Sequence, residues 1–113
     1  MKTNSVEKAP RMSPAEGVEI RIIGSGEKVM LTYIIARPGA VVPDHKHPHE
    51  QIGTCVKGEG VLTSGGKTFK TIPGASWYIP SGESHDWKCT SKSETILIET
   101  FAPPREDYLS KAK

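Results

Sequence analysis

The sequence predicts an all-β protein, a single sandwich or barrel of short antiparallel strands. Three observations predict it. Eleven glycines and nine prolines break the 113 residues into short segments. The apolar runs between them are rich in β-branched and aromatic residues. Turn signals recur at a spacing too close for helices and suited to paired strands.

Taken in order, strands are expected over Val18–Ile23 and Lys28–Ala36, joined by the hairpin turn Gly24-Ser25-Gly26. His45–His47 reads as a further short strand, and Gln51–Lys57 follows the turn at Pro48. Gly60–Ser64 and Lys67–Thr71 flank a second hairpin turn, Ser64-Gly65-Gly66. Ser76–Ile79, His85–Cys89 and Thr95–Phe101 complete the set. Only the C-terminus invites a helix. Pro103 and Pro104 suit its start, but "REDYLSKAK" is too short to hold alone and must dock through Tyr108 and Leu109. Residues 1–16 read as an N-terminal arm, either mobile or reaching a partner as an edge strand. Residues 17–113 form the barrel domain, with no internal repeat or second domain.

Composition narrows the function. The formal charge of +2 is near balance and the lysines are scattered, which argues against nucleic acid or an anionic membrane as a partner. No apolar run approaches the length needed to cross a bilayer, and Met1–Glu16 lacks the apolar core of a secretion signal, so a cytoplasmic protein is expected. Cys55 and Cys89 are then thiols, each acting as a small buried hydrophobe. "GVLTSGGKT" has the wrong glycine spacing for a phosphate-binding loop and joins two strands.

The chemistry concentrates in "PDHKHPHEQ", residues 43–51, which holds three of the four histidines. In an extended segment residues i and i+2 share a face, so His45 and His47 project together. Gln51 can reach the same inner face, and His85 approaches from a separate strand. Three imidazoles and a side-chain oxygen suit one divalent transition metal, with positions left for water or substrate. The alternative is a cluster of exposed loop histidines.

The wider spacing favours the metal. Gly39, His45, His47, Gln51 and Gly58, then Gly74, Pro80, Gly82 and His85, resemble the two motifs of the cupin family. The resemblance implies a double-stranded β-helix, or jelly-roll, barrel. Two positions depart from it: Gln51 stands where the first motif usually has glutamate, and Cys89 where the second ends in asparagine. Glu50 lies one residue too close to His47 to replace Gln51 and faces out or braces a histidine; His49 does the same, with a place among the ligands as its alternative. Three neutral imidazoles and an amide leave the metal's charge uncompensated, which favours an anionic ligand.

On the last strand Ile96, Ile98 and Thr100 share one face, expected to pack between the sheets. Glu99 and Phe101 then point to the cavity with Leu97. Arg105 follows two prolines that can fold it across the barrel mouth. A carboxylate, an aromatic face and a guanidinium beside an anion-seeking metal suit acid–base work on a carboxylated sugar. The alternative is a surface ion pair of Glu99 with Arg105 or with neighbouring lysines.

"HKHPHEQ", "IPSGESHDWKC" and "ETFAPPREDYL" are similar to the small cupins of the pectin-degradation KdgF type, from about Gly39 to Leu109. That resemblance implies ketonisation of unsaturated uronates from pectin or alginate into linear 4-deoxy-5-keto sugars. By position it implies His45, His47, Gln51 and His85 as ligands to a metal that could be nickel, zinc, iron or manganese. Phe101 and Arg105 match its substrate-contacting pair. Glu99 stands where the family has a catalytic aspartate, one methylene longer. Two other functions fit the same residues: an iron-dependent dioxygenase, and a sugar-binding or sensor module without turnover. Exposed strand edges and the N-terminal arm lead to the expectation of a homodimer.

Overall fold

The computed structural model describes residues 1–113. Ten strands and one helix follow in chain order: β1 (Arg11–Ala15), β2 (Val18–Ser25), β3 (Met30–Ala36), β4 (Val41–His45), β5 (Glu50–Lys57), β6 (Gly60–Ser64), β7 (Lys67–Thr71), β8 (Ser76–Ile79), β9 (His85–Cys89), β10 (Thr95–Ala102) and α1 (Glu106–Lys111). They form a six-stranded sheet in the order β1-β2-β3-β10-β5-β8 and a four-stranded sheet in the order β4-β9-β6-β7. All pairings are antiparallel. The two sheets face each other as the expected all-β jelly-roll barrel.

Alternation builds the core. On β2 Val18, Ile20 and Ile22 are buried while Glu19 and Arg21 are half-exposed. β3 turns Met30, Thr32, Ile34 and Ala36 inward, and β10 turns Thr95, Leu97, Glu99 and Phe101 inward. These rows meet Leu62, Trp87 and Cys89 of the facing sheet. Cys55 and Cys89 are both free and buried, as the sequence suggests.

Four expectations are corrected. The strand expected over His45–His47 is β4, which ends at His45. Pro43 has no N–H for the ladder, the pairing with β9 slips between Val42 and His45, and His47 precedes Pro48 outside any strand. Within residues 1–16, Arg11–Ala15 forms β1 on the chain's own β2. Arg11 also exchanges both backbone hydrogen bonds with Lys113, at 3.2 and 3.0 Å, so this strand is used within the chain. "RMSPA" has one large apolar residue and a proline, so no periodic signal marks it as a strand.

On β10, Ile96, Ile98 and Thr100 lie half-exposed on the outer surface of the sheet instead of between the sheets. The inward set is the one with a glutamate in it, because this barrel's interior is partly a polar cavity. Helix α1 docks through Tyr108, which is 9% exposed, but Leu109 remains 38% exposed on the outer side.

Gly58 lies in the turn from β5 to β6, which carries the chain from one sheet to the other, at φ +81°, and a Cβ there would run into Thr95, itself fully buried. The left-handed conformation costs an ordinary residue about 1–2 kcal/mol, and overpacking adds about 1–3 kcal/mol. Gly58→Ala should therefore lower unfolding free energy by about 2–5 kcal/mol in urea titration. A loss below about 0.5 kcal/mol would mean the turn relaxes freely.

Candidate metal centre

Both sheets contribute to one cluster. His45 at the end of β4 pairs directly with His85 at the start of β9. Residues opposed in a ladder share a face, and the two rings lie 4.3 Å apart between centroids. His47, just past β4, stands 5.7 Å from His45 and 5.1 Å from His85 by the same measure. A ligand nitrogen from each of the three lies within 4.8 Å of the others.

Backbone carbonyls set the tautomers. His45 Nδ1 lies 2.8 Å from Pro43 O, His47 Nδ1 3.2 Å from His49 O, and His85 Nδ1 3.0 Å from Glu83 O. A carbonyl can only accept, so in these contacts each Nδ1 carries the proton and each Nε2 presents a lone pair, that of His47 toward Gln51 Oε1. His85 Nε2 is buried with no partner. Burial, then the Arg105 charge and the neighbouring His85, push the His47 pKa down to about 4; burial lowers that of His85. These two imidazoles are neutral at neutral pH and able to coordinate.

Gln51, buried on β5, brings its Oε1 to 3.0 Å from His47 Nε2. Two ligands at about 2.1 Å from a metal and at right angles to each other would be about 3.0 Å apart. The donor set of three imidazole nitrogens and an amide oxygen therefore fits a divalent transition metal. His49 contributes its carbonyl to His47 and not its ring. Glu50 is exposed at the start of β5.

The rest of the site lies on β10 and at the start of α1. Glu99 is 7% exposed. Its Oε2 accepts hydrogen bonds from Gln51 Nε2 and, at 3.2 Å, from Trp77 Nε1. Burial raises its pKa against those two bonds, which lower it. Arg105 is 6% exposed and grips Asp107 with two bonds, Nε to Oδ1 at 3.0 Å and Nη2 to Oδ2 at 2.9 Å. Its guanidinium carbon sits 4.0 Å from the centre of the Tyr108 ring and 5.0 Å from that of Phe101. Nη1 is buried and unpaired. Glu99 and Arg105 thus do not form the ion pair that was the alternative reading.

A cavity of about 340 Å³ joins these groups, lined at its polar end by His45, Gln51, His85, Glu99, Phe101 and Arg105. Its apolar wall includes Val18, Ile34 and Leu97, and Met12–Ala15 of β1 and Lys111 of α1 reach its rim. Sequence reasoning brought together the three histidines, Gln51, Glu99, Phe101 and Arg105 but missed Trp77, Asp107 and the role of Tyr108. Gly53, a lone glycine inside a strand, was the available sign of a close approach by some large group.

The chain belongs to the cupin family: the Cupin domain model matches residues 32–101. Over 93 residues it is 28% identical to the HTH-type transcriptional regulator PuuR of Escherichia coli, with 79% of this chain covered; it spans about half the length of that relative. It is also 27% identical over 106 residues to the pectin degradation protein KdgF of Dickeya dadantii, covering 91% of this chain and 94% of the relative. Among solved structures it superposes on KdgF from Halomonas sp. with a TM-score of 0.86 at 22% identity, over 95% and 97% of the two chains. The chain is therefore a small cupin of KdgF-like architecture.

Incubation with excess zinc or nickel should raise the thermal midpoint, since ligand at about 100 times Kd adds about 2.7 kcal/mol of stability. His47→Ala and His85→Ala should each abolish that rise and the bound metal measured by elemental analysis. Full metal occupancy in either variant would show that the imidazoles are not ligands.

Proposed function

We propose that the protein is an enzyme that opens and ketonises unsaturated uronates derived from pectin or alginate. One observation carries this reading: a cluster of three histidines and an amide stands at a cavity that its His45, Gln51 and His85 line together with a buried carboxyl and a guanidinium that has a free donor. His45, His47, Gln51 and His85 would hold the metal. When bound, it supplies a Lewis-acid charge that polarises a substrate oxygen.

The other residues divide the remaining work. Arg105 offers Nη1 to the substrate carboxylate, while Asp107 takes Nε and Nη2 and keeps the guanidinium from turning. Phe101, fully buried beneath the guanidinium, provides an apolar wall. In ring opening the anomeric hydroxyl loses its proton as the bond between C1 and the ring oxygen breaks. The bonding pair goes to the ring oxygen and leaves an enolate, which becomes a ketone when C4 gains a proton. Glu99 is the group assigned to carry these protons. Both of its hydrogen bonds fall on Oε2, so Oε1 is left for exchange, and its raised pKa brings it nearer to neutral pH.

The similarity to a transcriptional regulator favours a second reading, a ligand-binding module without turnover. The iron dioxygenase is the third, and oxygen consumption with ferrous iron would reveal it. The free thiols Cys55 and Cys89 support a cytoplasmic setting. We also propose a twofold homodimer. The outer face of the six-stranded sheet exposes Ile52, Val56 and Tyr78 at 57, 50 and 55%, an apolar surface suited to a second copy. Light scattering at micromolar concentration should give twice the chain mass; a monomer would overturn this assembly.

With an unsaturated uronate as substrate, absorbance of the conjugated double bond should fall on adding metal-loaded protein. Glu99→Gln should keep metal and fold but lose about 10²–10⁴-fold in rate. Glu99→Asp should retain or improve turnover if the glutamate stands in for the family's aspartate. Uronate bound without turnover would favour the binding module, and full activity in Glu99→Gln would remove Glu99 from the chemistry.

A further inference from the structure

We propose that Trp77 is a positioning residue for the metal centre: lying over Gly53, it holds the Glu99 carboxylate that orients the Gln51 amide toward the histidines. The inference rests on the metal reading of the His45, His47 and His85 cluster and goes beyond the choice of substrate.

Three residues form one row across the six-stranded sheet. Glu99 on β10 is paired with Gly53 on β5, and Gly53 is paired with Trp77 on β8. Trp77 and Glu99 are therefore two strands apart, about 9–10 Å by the usual strand spacing. A side chain at the middle position would separate them. Gly53 has none, and a Cβ built there would come within 2.5 Å of Trp77 Nε1 and Cε2. The indole uses that space and crosses β5 to donate from Nε1 to Glu99 Oε2 at 3.2 Å.

The same oxygen accepts from Gln51 Nε2. This bond decides which end of the amide faces the cluster. With its NH₂ committed to Glu99, Gln51 can turn only Oε1 toward His47 Nε2, where it lies 3.0 Å away. Rotated by half a turn, the amide would present a donor that cannot coordinate a cation. Trp77 limits the carboxylate's freedom to swing away, and so fixes the fourth donor through Glu99. Partners that orient ligands in this way commonly contribute about 10–100-fold to metal affinity.

The molecule contains its own control. Trp87 on β9 also crosses its neighbouring strand, though on a diagonal: it is paired with Leu62, and its indole lies over Gly60 on β6, where a Cβ would again collide with it. Its Nε1 donates to Thr71 Oγ1 on β7 at 3.0 Å. Both tryptophans cross a glycine to an acceptor on the far strand. Only Trp77 reaches a group bonded to the candidate ligands.

Zn²⁺ affinity measured by competition with a chromophoric chelator tests the inference, with the visible spectrum of the Co²⁺-loaded protein as a report on coordination. Trp77→Phe keeps a flat ring over Gly53 and removes the donor. It should weaken Zn²⁺ binding by about 10–100-fold and change the Co²⁺ spectrum. Trp87→Phe should do neither, although it also deletes a buried indole hydrogen bond.

Wild-type affinity and spectrum in Trp77→Phe, or equal weakening in both variants, would overturn the proposal while leaving the metal centre intact. Failure of the wild-type protein to bind Zn²⁺ would overturn both. Should Trp77→Phe not fold, ¹⁵N spectra of the wild-type indoles give the same answer, with Trp87→Phe supplying the assignment. On titration with Zn²⁺ the Trp77 Nε1–H resonance should move and that of Trp87 should stay. A stationary Trp77 resonance would overturn the proposal.

Discussion

The structure depends on one constraint: a polar side chain turned into a barrel this small must find a partner inside it. An unpaired buried polar group costs about 1–3 kcal/mol, more if charged. His47, Gln51, His85, Glu99 and Arg105 are all under a tenth exposed. The chain meets most of their bonding capacity itself, with carbonyls on each Nδ1, Asp107 on two guanidinium nitrogens, and Gln51 and Trp77 on one carboxylate oxygen. What remains unpaired includes His85 Nε2 and Arg105 Nη1. Those two unmet valences belong to residues that line one cavity, while the third, His49 Nδ1, lies outside it.

The same constraint divides labour between the sheets. The four-stranded sheet brings His45 and His85 together by direct strand pairing, and the chain beyond β4 adds His47. The six-stranded sheet supplies Gln51, Glu99 and Phe101 from the adjacent strands β5 and β10. Neither sheet alone makes a complete site, so closure of the barrel and assembly of the centre are one event. Docking of Tyr108 then seats Arg105 at the first turn of α1, and the Arg11–Lys113 backbone pair ties the end of that segment to β1.

Glycine serves this arrangement by what it omits. Gly53 and Gly60 sit mid-sheet at positions where a side chain would keep a tryptophan from crossing its neighbour. Each costs some strand stability. In return a large aromatic covers the backbone and delivers an N–H two strands away. In one sheet that donor satisfies a threonine; in the other it reaches the carboxylate beside the candidate ligands.

The amino-acid order by itself determined most of the strands, the barrel, and the histidine, glutamine, glutamate and arginine that meet at the site. Those depend on features written along the chain: alternation, turn glycines, and histidines at fixed spacing. Glu99 and Phe101 were placed toward the cavity correctly but from a mistaken premise, since Ile96 and Ile98 form an outer surface. Periodicity separates two faces of a strand without saying which one meets the core, and a cavity that holds a carboxylate reverses the usual sign. The tertiary structure alone decided that Arg11–Ala15 completes the chain's own sheet and that Trp77 reaches Glu99. Both depend on partners far away in sequence: Lys113 against Arg11, and Gly53 set between two neighbours by the register of three strands. A strand pattern states what can pair, but only the folded sheet fixes which residues stand opposite one another.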